Sequence, residues 1–257
     1  MRALEPAKHK EEKLGCLDDL AVSVGSLERL ALRGVLVDFG STLAYFDEAE
    51  NRRYEAALVS TLSRYECKRR LEDLDSVLAS IYVGSTKGEL KNLQEFWGLV
   101  LKKLEIPENP ELVDELENVR IGHVAATWEL YDKVPSTLVS LQKKYKLALV
   151  SNCAVGTDKV IDALGLSDFF GCIILSYQVG VRKPHKHIYL EALKCLELEA
   201  HECVFVADEI SDLEGAREVG LNTLLVRQGT DTFKEAKDTN FKPNFECNHI
   251  ADITDFL

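Results

Sequence analysis

The chain is poor in several things that would have classified it at once. It has one Met, two Trp and six Pro in 257 residues. No apolar run approaches the roughly 18 residues of a membrane span, which argues against a membrane protein. The N-terminus (Arg2, Lys8, His9, Lys10, Glu11, Glu12, Lys13) has no apolar stretch of signal-peptide type. Basic residues are in the minority, 31 against 43 acidic, for a formal charge of -12. That deficit argues against nucleic acid or an anionic membrane surface as the main partner, and confines any anionic substrate to a locally positive spot. The seven cysteines are odd in number and contain no C-x-x-C pair. Cys153, Cys172 and Cys203 fall in or beside apolar runs and are expected as small buried residues, which makes a reducing cytoplasm the expected compartment.

What remains is an ordinary globular composition, 46% hydrophobic and 29% charged, with enough apolar material for one large core and a small accessory unit. Residues 1–33 read as an extension: a solvated start, then Leu14, Leu17, Leu20, Val24, Leu27 and Leu30 at helical spacing. Residues 34–38 form a short apolar run ending in a carboxylate, Val35-Leu36-Val37-Asp38. From 47 to 134 helical spacing recurs without alternation, which predicts helices near 48–66, 69–82, 90–105 and 109–132 and no strand. Asn109-Pro110 reads as a cap followed by Pro in the first turn. Leu93, Phe96, Trp97, Val100, Leu101 and Leu104 make one apolar face.

From Pro135 onward, strands and helices alternate. Strands are expected at 147–150, 172–175, 203–207 and 222–226, with helices between them opening at Pro135, Thr157, Pro184 and Asp212. Residues 228–245 look polar and irregular, and 250–257 a final turn. Continuous apolar strands alternating with helices predict an α/β fold, a Rossmann-like parallel sheet with helices on both faces. The helical stretch then lies inside an α/β chain, dividing it into a core (34–46 and 135–257) and an all-helical cap (47–134).

Three of these strands end in Asp38, Ser151 and Asp208, and Lys183 stands just before a helix. Parallel strands put their C-terminal ends on one edge, so two carboxylates, a hydroxyl and an ammonium meet in one crevice. Two carboxylates about 4 Å apart repel by about 4 kcal/mol at an effective dielectric of 20, so the cluster calls for a cation. Oxygen ligands with room for water and phosphate oxygens suit magnesium. Asp212, four residues beyond Asp208, backs up that site. Ser151 and Lys183 suit a phosphate.

Asp38-Phe39-Gly40-Ser41-Thr42-Leu43, Val150-Ser151-Asn152, Arg182-Lys183-Pro184 and Ala207-Asp208-Glu209-Ile210-Ser211-Asp212 together resemble the four ordered motifs of the haloacid dehalogenase-like hydrolases, in the branch with a helical cap after the first motif. The resemblance implies that Asp38 is a nucleophile forming an aspartyl-phosphate, with Thr42 orienting its site. It implies that Ser151 and Lys183 hold the phosphoryl group, with Ser41 and Asn152 beside them. It also implies that Asp38, the Gly40 carbonyl, Asp208 and Asp212 serve a Mg2+ ion. A small phosphorylated metabolite is then the expected partner.

One position departs from that pattern. Phosphatases of this family usually carry a second Asp two residues after the nucleophile, and here that position is Gly40, with Ser41 replacing the usual Gly. Glycine can offer its carbonyl to a metal but cannot move a proton, and losing a positioned acid/base costs about 10²–10⁴-fold. Two other readings therefore stand beside the phosphatase: a slow or non-catalytic protein that binds a phosphorylated ligand, and a haloacid dehalogenase-type hydrolase. A phosphonatase route would need a cap lysine such as Lys87, Lys91, Lys102 or Lys103. Substitute proton carriers each have a plainer reading. Glu209 is expected at an exposed helix start, and His185 and His187 on the surface. Tyr45 and Asp47 belong to the exit toward the cap, His123 and Trp128 to a helix, and Cys153 has no His placed to activate it.

Overall fold

The computed structural model describes residues 32–65, 73–107, 109–124, 126–228 and 240–257. The expected helix of residues 14–30 lies outside the described residues. Five of the apolar runs become strands of one six-stranded sheet: β1 (Gly34–Val37), β4 (Lys146–Ser151), β5 (Cys172–Leu175), β6 (Cys203–Ala207) and β7 (Asn222–Val226). The sixth is a short strand, β8 (Phe245–Cys247), and the order is β5-β4-β1-β6-β7-β8 with every pairing parallel. All four residues of β1 are buried. Val35 and Val37 feed one apolar cluster and Leu36 the other, so the strand is covered on both sides. The second cluster is closed by α8 (Lys186–Leu196) and α9 (Ile210–Glu218), the first by α5 (Val134–Gln142) and α6 (Thr157–Ala163). A single turn of helix, α7 (Ser176–Val179), follows β5 directly.

Between β1 and α5 the chain leaves the sheet through a two-stranded antiparallel ribbon. Strand β2 (Ala44–Phe46) pairs with β3 (Trp128–Leu130), Phe46 opposite Trp128 and Tyr45 opposite Glu129. Four helices lie between these strands in the chain: α1 (Glu48–Leu62), α2 (Leu74–Thr86), α3 (Leu93–Lys103) and α4 (Pro110–Val124). Their starts are chemically marked. Asp47 accepts hydrogen bonds from the Ala49 and Glu50 amides, Asn92 from Glu95 and Asn109 from Glu111, each satisfying an orphan N–H of a first turn. The expected face of α3 is where Leu93, Trp97, Val100, Leu101 and Leu104 are buried.

Several expectations are corrected. The helix expected to run to 132 ends at Val124, and Trp128 lies in a strand. Val124 and Trp128 are four apart and mimic a helix face, whereas a three-residue strand exists only because β2 is there to pair with it. Strand β8, which begins at the last residue of the stretch read as irregular and was not expected, arises for the same reason, its partner being β7. Cys172 is not a free buried thiol. It is joined to Cys195 of α8 by a disulfide, Cα–Cα 6.2 Å, which removes part of the basis for expecting a reducing compartment. The crossover from β5 through α8 brings together two cysteines 23 residues apart, a spacing that sequence alone does not reveal. Among the described residues no helix is long and apolar enough to cross a membrane.

Candidate active site

Strand β1 lies centrally in the sheet, with β4 on one side and β6 on the other, and Val37 is level with both Leu149 and Val206. One residue on, the Asp38 amide donates to the Val206 carbonyl at 2.9 Å. Ser151 and Asp208 each lie one residue further along on the flanking sides. The register alone therefore brackets the Asp38 carboxylate with a hydroxyl and a second carboxylate. This is the crevice at the C-terminal edge where strand order reverses.

Lys183 fills that crevice from the third motif. Its Nζ lies 2.7 Å from Asp38 Oδ1 and 2.8 Å from Asp212 Oδ2, with its side chain fully buried, and 5.3 Å from the Phe205 ring centroid. Burial pulls the Lys183 ammonium toward deprotonation. Asp212 and Asp38 outweigh it, so its pKa is held above the ordinary lysine value. Burial pushes the Asp38 carboxyl upward against the opposing pull of Lys183, and the Phe39 amide donates to its Oδ1 at 2.7 Å. Asp208 is pushed up to about 7, by burial first and then by the Asp38 charge. Thr42 Oγ1 donates to Asp208 Oδ1 at 3.3 Å, tying the first and fourth motifs together.

Two expected site residues occupy positions with further duties. Asn152 exchanges both amide groups with the Lys183 backbone, accepting from its N–H at 2.7 Å and donating to its carbonyl at 3.1 Å. Asp212 sits in the first turn of α9, buried against Lys183, and its own carbonyl accepts from the Tyr189 hydroxyl at 2.7 Å. Ser151 is buried at the end of β4, and its hydroxyl bonds to no described residue. Ser41 adopts φ 58°, the left-handed region that favours glycine, and its amide donates to the Ala44 carbonyl to close the turn.

On the other side of Asp38 the picture changes. A Cβ added to Gly40 would lie 3.6 Å from the Trp128 ring, an ordinary contact. The indole covering Gly40 also packs on Phe39 and Phe46, with centroids at 4.9 and 5.3 Å. Nothing in the pattern around Trp128 foretells this place, because only the β2–β3 ribbon brings it back. The sequence pattern does not single out Gln228 either. It is buried just past β7, donates to the Thr42 carbonyl at 2.5 Å and accepts from the Ile250 amide at 2.7 Å. Its position after an apolar strand end, where Asp38, Ser151 and Asp208 also sit, was the signal available.

The alternative acids and nucleophiles fall away from the crevice. Glu209 is exposed and accepts from Ser211. His185 and His187 are exposed at the start of α8, His185 accepting the His187 amide. Tyr45 bonds Glu129 on the ribbon, Asp47 caps α1, and His123 stacks loosely on Tyr54. Burial pushes the Cys153 thiol up to about 12. Lys87, Lys91, Lys102 and Lys103 are all exposed. For a metal, no cluster of three His, Cys, Asp or Glu side chains occurs among the described residues. Carboxylate oxygens of Asp38 and Asp208 are the donors that the site geometry brings near each other. An all-oxygen set of so few protein ligands suits an ion that keeps several waters.

Residues 32–220 match the profile described as a haloacid dehalogenase-like hydrolase. The chain is 28% identical over 206 residues to the glyceraldehyde 3-phosphate phosphatase of Methanopyrus kandleri, covering 79% of this chain and 84% of that one. It is 34% identical over 129 residues to the phosphoglycolate phosphatase of Aquifex aeolicus, covering 49% and 58%. Among solved structures, a 2-haloacid dehalogenase from Pseudomonas syringae superposes with a TM-score of 0.67 at 21% identity, over 87% of this chain and 97% of that one. A HAD phosphatase from Thermococcus onnurineus gives 0.62 at 20% identity, over 88% and 97%. At those identities the two structures speak for the fold alone. With a family match over most of its length and that family's fold around Asp38, the chain belongs to the haloacid dehalogenase-like hydrolases.

Proposed function

We propose that this chain is a magnesium-dependent phosphatase that transfers the phosphoryl group of a small phosphorylated metabolite to Asp38 and then to water. The carrying observation is the buried Lys183 ammonium bridging Asp38 and Asp212 beside Ser151. Relatives named as phosphatases of glyceraldehyde 3-phosphate and phosphoglycolate support the size and class of substrate. Helices α1–α4 serve as the cap over the site.

In the first step an Asp38 carboxylate oxygen attacks phosphorus and the ester oxygen leaves with its electron pair. Lys183 and the Ser151 hydroxyl hold the charge of the phosphoryl oxygens, the positioning and neutralisation that dominate this chemistry. Asp212 keeps Lys183 charged, and Asn152 fixes its backbone. A magnesium ion held by Asp38, Asp208 and the Gly40 carbonyl would neutralise phosphoryl charge. The departing oxygen finds no side-chain acid at Gly40, so its proton comes from water, and substrates with stable leaving anions react fastest. Water then attacks the acyl-phosphate and regenerates Asp38.

Purified protein should release phosphate from acetyl phosphate and aryl phosphates when magnesium is supplied, and Asp38→Asn should abolish it. Binding of phosphorylated metabolites with no turnover would instead favour the ligand-binding reading, for which Gly40 is the specific observation. Metal-independent halide release from a 2-haloacid would favour the dehalogenase reading.

A further inference from the structure

One residue of the core, Val155, is held at both its amide and its carbonyl by the helical block. The Val155 amide donates to the buried Ser85 hydroxyl of α2 at 3.0 Å, and the Val155 carbonyl accepts from Arg120 Nη2 of α4 at 2.6 Å. Val155 lies four residues beyond Ser151, in the loop that follows β4. The next residue, Gly156, has φ +86°, and a Cβ there would lie 2.8 Å from both terminal nitrogens of Arg120. The loop is therefore built to leave the guanidinium its seat. Arg120 forms no salt bridge with a described residue; its Cζ lies 5.9 Å from the Phe96 ring centroid, and its Nη1 is buried without a hydrogen-bond partner there. Drawing a guanidinium partly out of water with one terminal nitrogen unsatisfied is costly, which is hard to account for if Arg120 were filler.

The block makes a second contact. A Cβ on Gly88, just past α2, would lie 2.7 Å from the Gly180 Cα and 2.9 Å from the Tyr177 carbonyl. The chain after α2 thus lies flat on the end of α7, three residues before Lys183. The two contacted segments are tied to each other by the paired bonds between Asn152 and the Lys183 backbone. They are tied again by the Ser176 hydroxyl, which bonds both the amide and the carbonyl of Cys153.

We infer that Arg120 is a positioning residue: by clamping Val155 with Ser85, it makes the docked state of the helical block set the placement of Ser151 and, through Asn152, of Lys183. This rests on the phosphatase reading of the site. Arg120 touches none of the reacting groups; it acts through one carbonyl. Catalytic competence is thereby coupled to whether the block sits on the core.

The test uses acetyl phosphate, a donor too small to need side chains of α1–α4 for recognition. Arg120→Ala should lower its kcat by about 10²-fold, the scale of a misplacement near 1 Å, with KM little changed. Arg120→Lys should be intermediate, Ser85→Ala should show the same kcat-weighted loss in milder form, and methylguanidine should restore part of the Arg120→Ala rate. A loss confined to KM, or a kcat unchanged for acetyl phosphate, overturns the inference. Amide hydrogen exchange on the same proteins is independent of turnover. Arg120→Ala should raise exchange in 151–156 and also in 180–183, which Arg120 does not contact, while the strands of the sheet stay protected. Unchanged exchange at 180–183 overturns the coupling, whereas failure of wild-type protein to cleave any phosphate ester overturns only the phosphatase reading.

Discussion

The two sides of Asp38 are built differently. Toward Lys183 every charged group is buried and engaged: the ammonium with two carboxylates, its backbone with Asn152, and the Asp212 carbonyl with Tyr189. At Gly40 itself there is no side chain to titrate, and an indole lies 3.6 Å from where its Cβ would be. The first side is equipped to hold charge that is already there. The second would have to deliver and accept a proton, and Gly40, at the position two residues beyond Asp38, has no group that can. Charge stabilisation and proton transfer are separable contributions, and this chain retains one without the other.

That contrast can be broken from either side. Lys183→Met should have the largest effect. It leaves Asp38 and Asp212 buried without their cation, which should cost about 3–5 kcal/mol of stability in urea unfolding along with phosphatase activity. A stable and active Lys183→Met protein would show that the engaged side is ornamental. Gly40→Asp adds what the other side lacks. A Cβ at this position meets only ordinary contacts and the backbone there is not left-handed, so kcat for an alkyl phosphate should rise by about 10²-fold in steady-state assays, with a near-unchanged melting temperature. A fall would mean that the Trp128-covered surface has chemistry of its own. Asn152→Ala frees the Lys183 backbone and should lower kcat by about 10-fold, a small misplacement of the charge, readable against an unchanged substrate KM. Cys195→Ser touches neither side and serves as the control. Losing the Cys172–Cys195 link should lower stability by about 3 kcal/mol by chemical denaturation and leave kcat where it was.

Much of this contrast is legible in the sequence. Each of Asp38, Ser151 and Asp208 ends a continuous apolar run, and such runs in a parallel sheet share an edge, so their meeting follows from pattern alone. Gly40 is flagged by its offset from Asp38. What covers it is not. Trp128 reaches Gly40 because three residues of β3 pair with three of β2 across the whole helical stretch, and strands that short are made by their partner and not by local propensity. The same holds for β8. The disulfide escapes for a related reason, since 23 residues of separation say nothing about where a crossover helix lands. Asn152 is expected beside the phosphate, and the residue whose backbone it holds is visible only when two loops are seen side by side.

The register of β1 also has a bearing on how the protein reaches its working state. Gly34 finds its neighbours only at Lys146 and at Cys203, while the neighbours α2 and α3, and α3 and α4, pack on each other directly along the chain. Closing long loops delays non-local pairing, so local elements organise first. In pulse-labelling refolding, amides of α3 and α4 should become protected before those of β1. During synthesis, the Asp38 carboxylate would wait for β6 before it had both walls of its crevice, leaving this hydrolase without a competent centre until that distant strand has emerged.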